Sequence, residues 1–262
     1  YIYNDDLSIL DRPFYLMEKI DGIVLTAKEV GNRKITAVEF EQISKEWLST
    51  FIELHSIDFK SVGLGDLGKP IGYVDRQIEI WSKQYKAAMT SEIESADKVI
   101  KWLNENKPAS KQISLIHNDY KYDNVVYRND KWNEINSILD WEMCTIGDPL
   151  MDLGTSIAYW TMSNDHPVIL NGLKSPTVLP GNPSRSKIVE LYCEQTQTKL
   201  DDFVFYYVYG LFKIAVIVQQ IYFRYKKGLT GDKRFSKLDK YAKVLSDTAW
   251  QSIQKMQIEN LF

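Results

Sequence analysis

The sequence predicts an α+β fold that is mostly helical, on three observations. Apolar residues recur three and four positions apart over most of the 262 residues, which is the period of a helix with one buried face. Two short β-rich runs, 113–116 and 135–139, flank a polar segment with little periodicity, and the first 25 residues read as extended.

Taken in order, the extended start contains a strand at 14–17, an aromatic and aliphatic run bounded by Asp11-Arg12-Pro13 and Asp21-Gly22, with a second strand expected at 1–3. From Thr36 the period becomes helical through Phe40, Ile43, Trp47, Phe51 and Leu54, and Thr36 with Glu39 forms a capping box. Another helix carries Ile78, Trp81, Tyr85 and Met89. A third opens at a capping box of Ser91 and Glu94, runs through Val99, Ile100 and Leu103, and stops where Lys107-Pro108 removes a donor and crowds the preceding turn. The two β-rich runs are expected to form a hairpin-like element. After Pro149 the pattern predicts helices at 150–162, 187–196, 203–227 and 238–257, interrupted by one long loop at 164–185 that is a candidate substrate lid. Trp47, Trp81, Trp102 and Tyr85 fit core faces better than a ligand cage.

Composition removes several functions. The formal charge of −3 offers no general attraction to nucleic acid or to an anionic membrane surface. Two cysteines, Cys144 and Cys193, are too few for a disulfide framework and make a reducing cytoplasm the expected compartment. The three histidines are far apart in the chain, which disfavours structural zinc. The stretch 203–223 is long and apolar enough for a bilayer span, but Lys213 stands at its middle, at a cost of about 2.5–3.5 kcal/mol in lipid; a helix buried in a protein core is expected instead.

The chemistry concentrates in the polar segment His117-Asn118-Asp119-Tyr120-Lys121-Tyr122-Asp123-Asn124 and in Asp140-Trp141-Glu142 at the end of the second run. Phosphoryl transfer to a hydroxyl needs a carboxylate that orients the nucleophile and accepts its proton, and oxygen ligands for the magnesium ions that offset phosphate charge. An Asp, an Asn five residues on and a second Asp 21 residues after the first supply those groups.

His-x-Asp-x-x-x-x-Asn followed by Asp-Trp-Glu resembles the aminoglycoside phosphotransferase and choline kinase group of kinase-like enzymes. Gly147-Asp148-Pro149-Leu150-Met151-Asp152-Leu153 matches as well. The chain is most similar to the subgroup found beside acyl-CoA dehydrogenases, through Leu54-His55-Ser56, Gly63-Leu64-Gly65-Asp66 and Tyr73-Val74-Asp75-Arg76-Gln77. The resemblance implies a protein-kinase-like fold, predominantly its α-helical C-terminal lobe (26–262) with a small β catalytic element and only a remnant of the N-terminal lobe and hinge (1–25). By position it makes Asp119 the base, His117 a brace of the loop, Lys121 a cation near the transferred phosphate, Asn124 and Asp140 magnesium ligands, and Glu142 a further metal or substrate ligand. Met17, Glu18 and Ile20 would lie in the hinge that meets the adenine. The cofactors implied are ATP or GTP with Mg²⁺, and the partner is a small molecule bearing a hydroxyl, an aminoglycoside-like compound or a hydroxyacyl thioester; a homodimer is left open. Asp148 and Asp152 read either as braces of the catalytic loop or as ordinary helix N-terminal acids favoured by the macrodipole.

Gly63-Leu64-Gly65-Asp66-Leu67-Gly68 satisfies Gly-x-Gly-x-x-Gly but follows a helix rather than a strand, so it reads as a connecting loop. The thirteen residues before Phe14 hold neither lysine nor glycine, and a kinase small lobe needs a strand lysine and a phosphate-covering loop; the expectation is a chain that opens at the last strand or two of that lobe. Two other readings stay open: a non-catalytic pseudo-kinase that binds a metabolite or partner, and a magnesium-dependent phosphohydrolase using the same acids with water.

Overall fold

The chain enters through an exposed two-stranded ribbon. The computed structural model describes residues 2–109, 112–200 and 202–262, so Tyr1 of the strand expected at 1–3 lies outside the described residues. Strand β1 (Ile2–Asn4) pairs antiparallel with β2 (Phe14–Leu16), Ile2 opposite Leu16. Met17 lies beyond the strand it was expected to end. A short strand β3 (Ile23–Val24) and a helix α1 (Ala27–Arg33) follow. Neither is visible as a period, because α1 buries only Val30 and is marked mainly by its cap, Thr26 accepting the N–H of Glu29.

The long helices form where the apolar stripe predicts them. Helix α2 (Ala37–Ser56) opens on the expected reciprocal Thr36/Glu39 box and buries Phe40, Ile43, Trp47, Phe51 and Leu54. Helix α3 (Tyr73–Ala88) buries Ile78, Trp81 and Tyr85. Helix α4 (Glu94–Glu105) corrects one expectation: Ile93, not Ser91, holds the N-cap and makes no side-chain cap bond. Ser95, one residue inside, instead donates to Asp247 at 2.7 Å, tying the start of α4 to the C-terminal region.

The two β-rich runs do not form a hairpin with each other. Strand β4 (Ser114–Ile116) pairs with β7 (Thr145–Gly147), while β6 (Ile135–Ile138) pairs with β5 (Val125–Tyr127), which also pairs with β3. β5 and β7 are three residues long, too short for alternation to mark them in the sequence. The result places the polar segment between β4 and β5, and the Asp140 turn between β6 and β7, so two antiparallel ladders carry both halves of the motif into one region. The loop at 63–68 connects α2 to α3 as expected, and Gly68 lies so close to β7 that a Cβ there would fall 2.2 Å from Thr145 Oγ1.

The remaining helices are α5 (Pro149–Tyr159), α6 (Pro167–Leu173), α7 (Arg185–Thr196), α8 (Val204–Lys226) and α9 (Leu238–Lys255). The segment 164–185 is thus not a structureless loop: it contains α6 and a 3₁₀ turn, Pro176–Val178. It is also fastened down. Arg185 and Asp165 form a buried ion pair, and Thr177 Oγ1 donates to Thr161 O at 3.0 Å. Helix α8 is the axis of the core, packed against α3, α4, α5 and α9. By length and composition it could cross a membrane, but 83% of its most apolar window is buried inside the fold, where each large apolar side chain contributes roughly 1.5–3 kcal/mol relative to exposure. At its crossing with α5 the two backbones touch through glycines: a Cβ on Gly154 would stand 2.2 Å from Tyr206 O.

Candidate active site

The site is built from the turn between β4 and β5 and the turn after β6. His117 is buried, and its imidazole is fixed by two main-chain contacts: Nε2 donates to Leu139 O (2.8 Å) and Nδ1 accepts the N–H of Asp119 (3.2 Å). That pattern needs the neutral Nε2–H tautomer. Burial pushes the His117 pKa down and so favours the same neutral form, while the Asp152 carboxylate pulls the other way. One ring therefore joins the loop that carries Asp119 to the strand end that precedes Asp140.

Asp119 is held from two sides. Its Oδ2 accepts a hydrogen bond from Asn124 Nδ2 at 2.8 Å and forms a close ion pair with the Lys121 ammonium. Asn124 also donates to the main-chain oxygen of Asp119 at 2.9 Å, so its amide nitrogen is spent on the loop and its Oδ1 is the atom turned elsewhere. The main-chain oxygen of Asn124 accepts the N–H of Leu139 at 2.8 Å, which extends the β5–β6 ladder by one bond to the residue just before Asp140. Asp140 adopts a left-handed backbone, φ 61° and ψ 55°, and is exposed. A short polar side chain tolerates that conformation better than most, and the turn directs the chain back into β7.

The loop is anchored from below by Asp152 on α5, which has no exposed surface. Its Oδ2 accepts the His117 N–H at 2.7 Å and its Oδ1 the Asn118 N–H at 2.8 Å; His55 Nε2 lies 3.2 Å from Oδ2. Burial by itself would raise the Asp152 carboxyl, but the hydrogen bonds and charge of His55 and the His117 N–H outweigh it and leave the pKa low. Asp148 takes the other role foreseen for these acids, capping α5 through the N–H groups of Leu150 and Met151. The two readings coexist at Asp152, which braces the loop from the first turn of α5.

Several participants carry no signal in the sequence. Asp123 is exposed, yet partial desolvation of its carboxyl raises its pKa, with Asp119 and Asp140 adding to the rise and Lys121 opposing it. Tyr159 lies under the Lys121 ammonium, 5.1 Å from ring centre to nitrogen, and its hydroxyl is pushed well up by burial and by the Asp119 carboxylate. Lys213 on α8 reaches Asn118 O at 2.7 Å. Of these, only Lys213 could have been singled out beforehand, as a charge in an apolar run.

The remaining expected residues make no hydrogen bond to the Asp119 carboxylate. Glu142 lines a neighbouring cleft with Lys69, Tyr73, Arg76, Asn118 and Lys213 and accepts no hydrogen bond from Asn124. Met17 and Glu18 are exposed and Ile20 is half-buried, in the irregular segment between β2 and β3; none of the three hydrogen-bonds to the Asp119 loop.

With this geometry in place, the chain matches the model of the phosphotransferase enzyme family (APH) over residues 2–183. The chain belongs to this family. Mouse acyl-CoA dehydrogenase family member 10 is 30% identical over 96% of the chain, which spans 23% of that relative's length. The crystal structure of a candidate aminoglycoside phosphotransferase from Ralstonia eutropha superposes with a TM-score of 0.82 at 29% identity, covering 97% of this chain and 77% of that one. The aminoglycoside phosphotransferase APH(4)-Ia, in a ternary complex with AMP-PNP and hygromycin B, shares the kinase-like fold at a TM-score of 0.53 and 13% identity, covering 88% of this chain and 69% of that one. The expected kinase-like α+β class and the resemblance read from the motifs are both upheld. The chain spans about a quarter to a third of the length of the curated relatives it matches.

Proposed function

We propose that the chain carries the catalytic residues of an ATP- and Mg²⁺-dependent enzyme that phosphorylates a hydroxyl of a small molecule. The observation that carries this reading is the fixing of Asp119 between Lys121 and Asn124, with the strand end before Asp140 tied to the same loop through His117 and Asn124. Asp119 Oδ2 is held in a set orientation, so little reorganisation is needed when it accepts the proton of the acceptor hydroxyl. Lys121 offsets the carboxylate and presents a cation beside the position a transferred phosphate would take. Once the proton is on Asp119, the Lys121 ammonium has no anionic partner there and is free to favour the phosphate.

The donor set suits magnesium. Asn124 offers an amide oxygen, and Asp140 an exposed carboxylate with no ion pair among the described residues; Glu142 is a further carboxylate within the same turn. Hard oxygen donors, few in number, with the Asp140 carboxylate open to water, match an ion that keeps several waters and is completed by substrate phosphates. Bound there, the ion would neutralise phosphate charge and align the γ-phosphoryl group. Met17, Glu18 and Ile20 are proposed as hinge residues toward the adenine, with the N-terminal ribbon as the edge of the nucleotide-binding lobe.

The acceptor is proposed to be a hydroxyacyl thioester in preference to an aminoglycoside, on the relatives that join this unit to acyl-CoA dehydrogenases. The pseudo-kinase alternative is disfavoured by the complete set Asp119, Asn124 and Asp140. The deciding experiment expresses the full-length parent protein, supplies ATP, Mg²⁺ and hydroxyacyl thioesters, and follows product by ³¹P NMR. Asp119→Asn should lower turnover by about 10²–10⁴-fold; an undiminished rate in that variant removes Asp119 from its role, and ATP loss without phosphorylated acceptor supports the hydrolase reading.

A further inference from the structure

Lys213 is 1% exposed in the middle of α8. Its ammonium donates to Asn118 O at 2.7 Å and, at the long distance of 3.4 Å, to Asn118 Oδ1, and it lies 5.7 Å from the centre of the Trp81 ring. No carboxylate among the described residues comes within 4.0 Å of it. An ammonium has three donors, and a buried one without a paired anion is costly. Its surroundings are as unusual as its burial. The cleft of about 430 Å³ that it borders is also lined by Lys69, Arg76, Tyr73, Gln77 and Glu142. Neither Lys69 nor Arg76 is ion-paired with any described carboxylate, and the Arg76 guanidinium is turned toward the main-chain oxygens of Lys69 and Ile71. Three cations therefore face one cleft against a single carboxylate. The nearest further acids, Asp119 and Asp152, act on Lys213 through space and are already occupied by other donors.

We propose that this cleft is a phosphate-class oxyanion site, with Lys213 at its floor, Lys69 and Arg76 on its walls and the Tyr73 and Gln77 side chains as additional polar partners. Its position gives it a consequence for the reaction centre. Asn118 is bonded to Lys213 through its carbonyl and to Tyr73 OH through Oδ1 at 3.2 Å, and it donates to Met143 O at 3.1 Å. A dianion drawn to Lys213 competes with the Asn118 carbonyl for the ammonium, and Asn118 is the residue immediately before Asp119. Glu142 opposes the anion, so the site is tuned rather than maximal in charge.

The test is direct binding, without nucleotide or turnover, so it stands or falls separately from the proposed reaction. Isothermal titration of the full-length protein with inorganic phosphate and, in a second arm, glycerol 3-phosphate should give saturable binding at about 1 mM or tighter. Lys69→Gln, on an exposed side chain, should weaken it at least tenfold, and Glu142→Gln should tighten it. Asp119→Asn should leave it within twofold. Preference for the ester identifies phosphate carried by a metabolite, preference for the inorganic ion identifies free phosphate, and either upholds the site. Binding by neither probe, binding indifferent to Lys69→Gln and Glu142→Gln, or binding governed by Asp119 overturns it.

Discussion

The Asp152 carboxylate accepts the main-chain N–H of His117 at 2.7 Å, across 35 residues of chain. With the second bond to Asn118 N–H, one buried side chain on α5 sets the path of the loop that presents Asp119. Removing it leaves two buried N–H groups and His55 without their acceptor.

Asp152→Asn places an amide donor against those donors, and breaking a buried charge network of this kind costs about 3–5 kcal/mol. For a chain of this size the melting temperature should fall by about 6–20 °C, at about 2–4 °C per kcal/mol. Thermal unfolding followed by circular dichroism checks it. The same low pKa makes an acid limb: the folded form binds the proton less readily than the unfolded one, so the stabilisation is complete above the unfolded value near 3.8 and is lost as pH falls below it. The variant should lack that limb.

Asp140→Asn keeps a short polar side chain that tolerates the left-handed backbone at φ 61°. Folding stability should change by less than about 0.5 kcal/mol, as for an exposed site. The Mg²⁺ concentration needed for half-maximal turnover should rise at least about tenfold with the loss of an anionic oxygen ligand. A magnesium titration of rate beside a melting curve separates the two effects, and a fall in stability that accounts for all of the lost rate counts against a ligand role.

Lys213 has its pKa pulled down by burial to about 8. Between about 8 and the unfolded value of 10.5 the unfolded chain holds a proton that the folded chain does not, so stability rises with pH in that window and is flat below it. Lys213→Met should abolish this rise. Urea midpoints of both proteins at pH 7, 8, 9 and 10 give the comparison, and parallel pH profiles would contradict a neutralised lysine.

Gly154→Ala should destabilise by roughly 1–3 kcal/mol, as overpacking a tight contact does. The added methyl meets Tyr206 O at 2.2 Å, a main-chain atom of α8 that cannot rotate away. Because α5 also carries Asp152, activity at a temperature where the variant is fully folded should drop as well. A variant as stable as wild type would mean that the two helices are free to separate.

Helices α2, α3 and α9, the α2 capping box and the catalytic motif were readable from the chain alone, because each depends on residues within one or two turns of one another. Asp119, Lys121 and Asn124 meet for the same reason: five residues of tight turn bring them together. Ser91 does not cap α4 as its spacing predicts, since Ile93 takes the N-cap while Ser95 finds Asp247, a partner 152 positions away. β5 and β7 were missed because three residues contain barely one alternation, and their pairing is decided by which strands the packed helices bring alongside. The segment 164–185 looked like a loop by composition, yet the Arg185–Asp165 pair and Thr177 fasten it.

What the sequence determined by itself is the chemistry available: an Asp, a Lys and an Asn on one turn, a second Asp after a strand, and enough periodic apolar surface to build a helical core. Which distant groups hold them is settled by packing. Asp152 reaches His117, and Lys213 crosses 95 residues to Asn118, because a buried polar atom takes whatever partner the packing of α5 and α8 leaves beside it, and no local pattern encodes that choice.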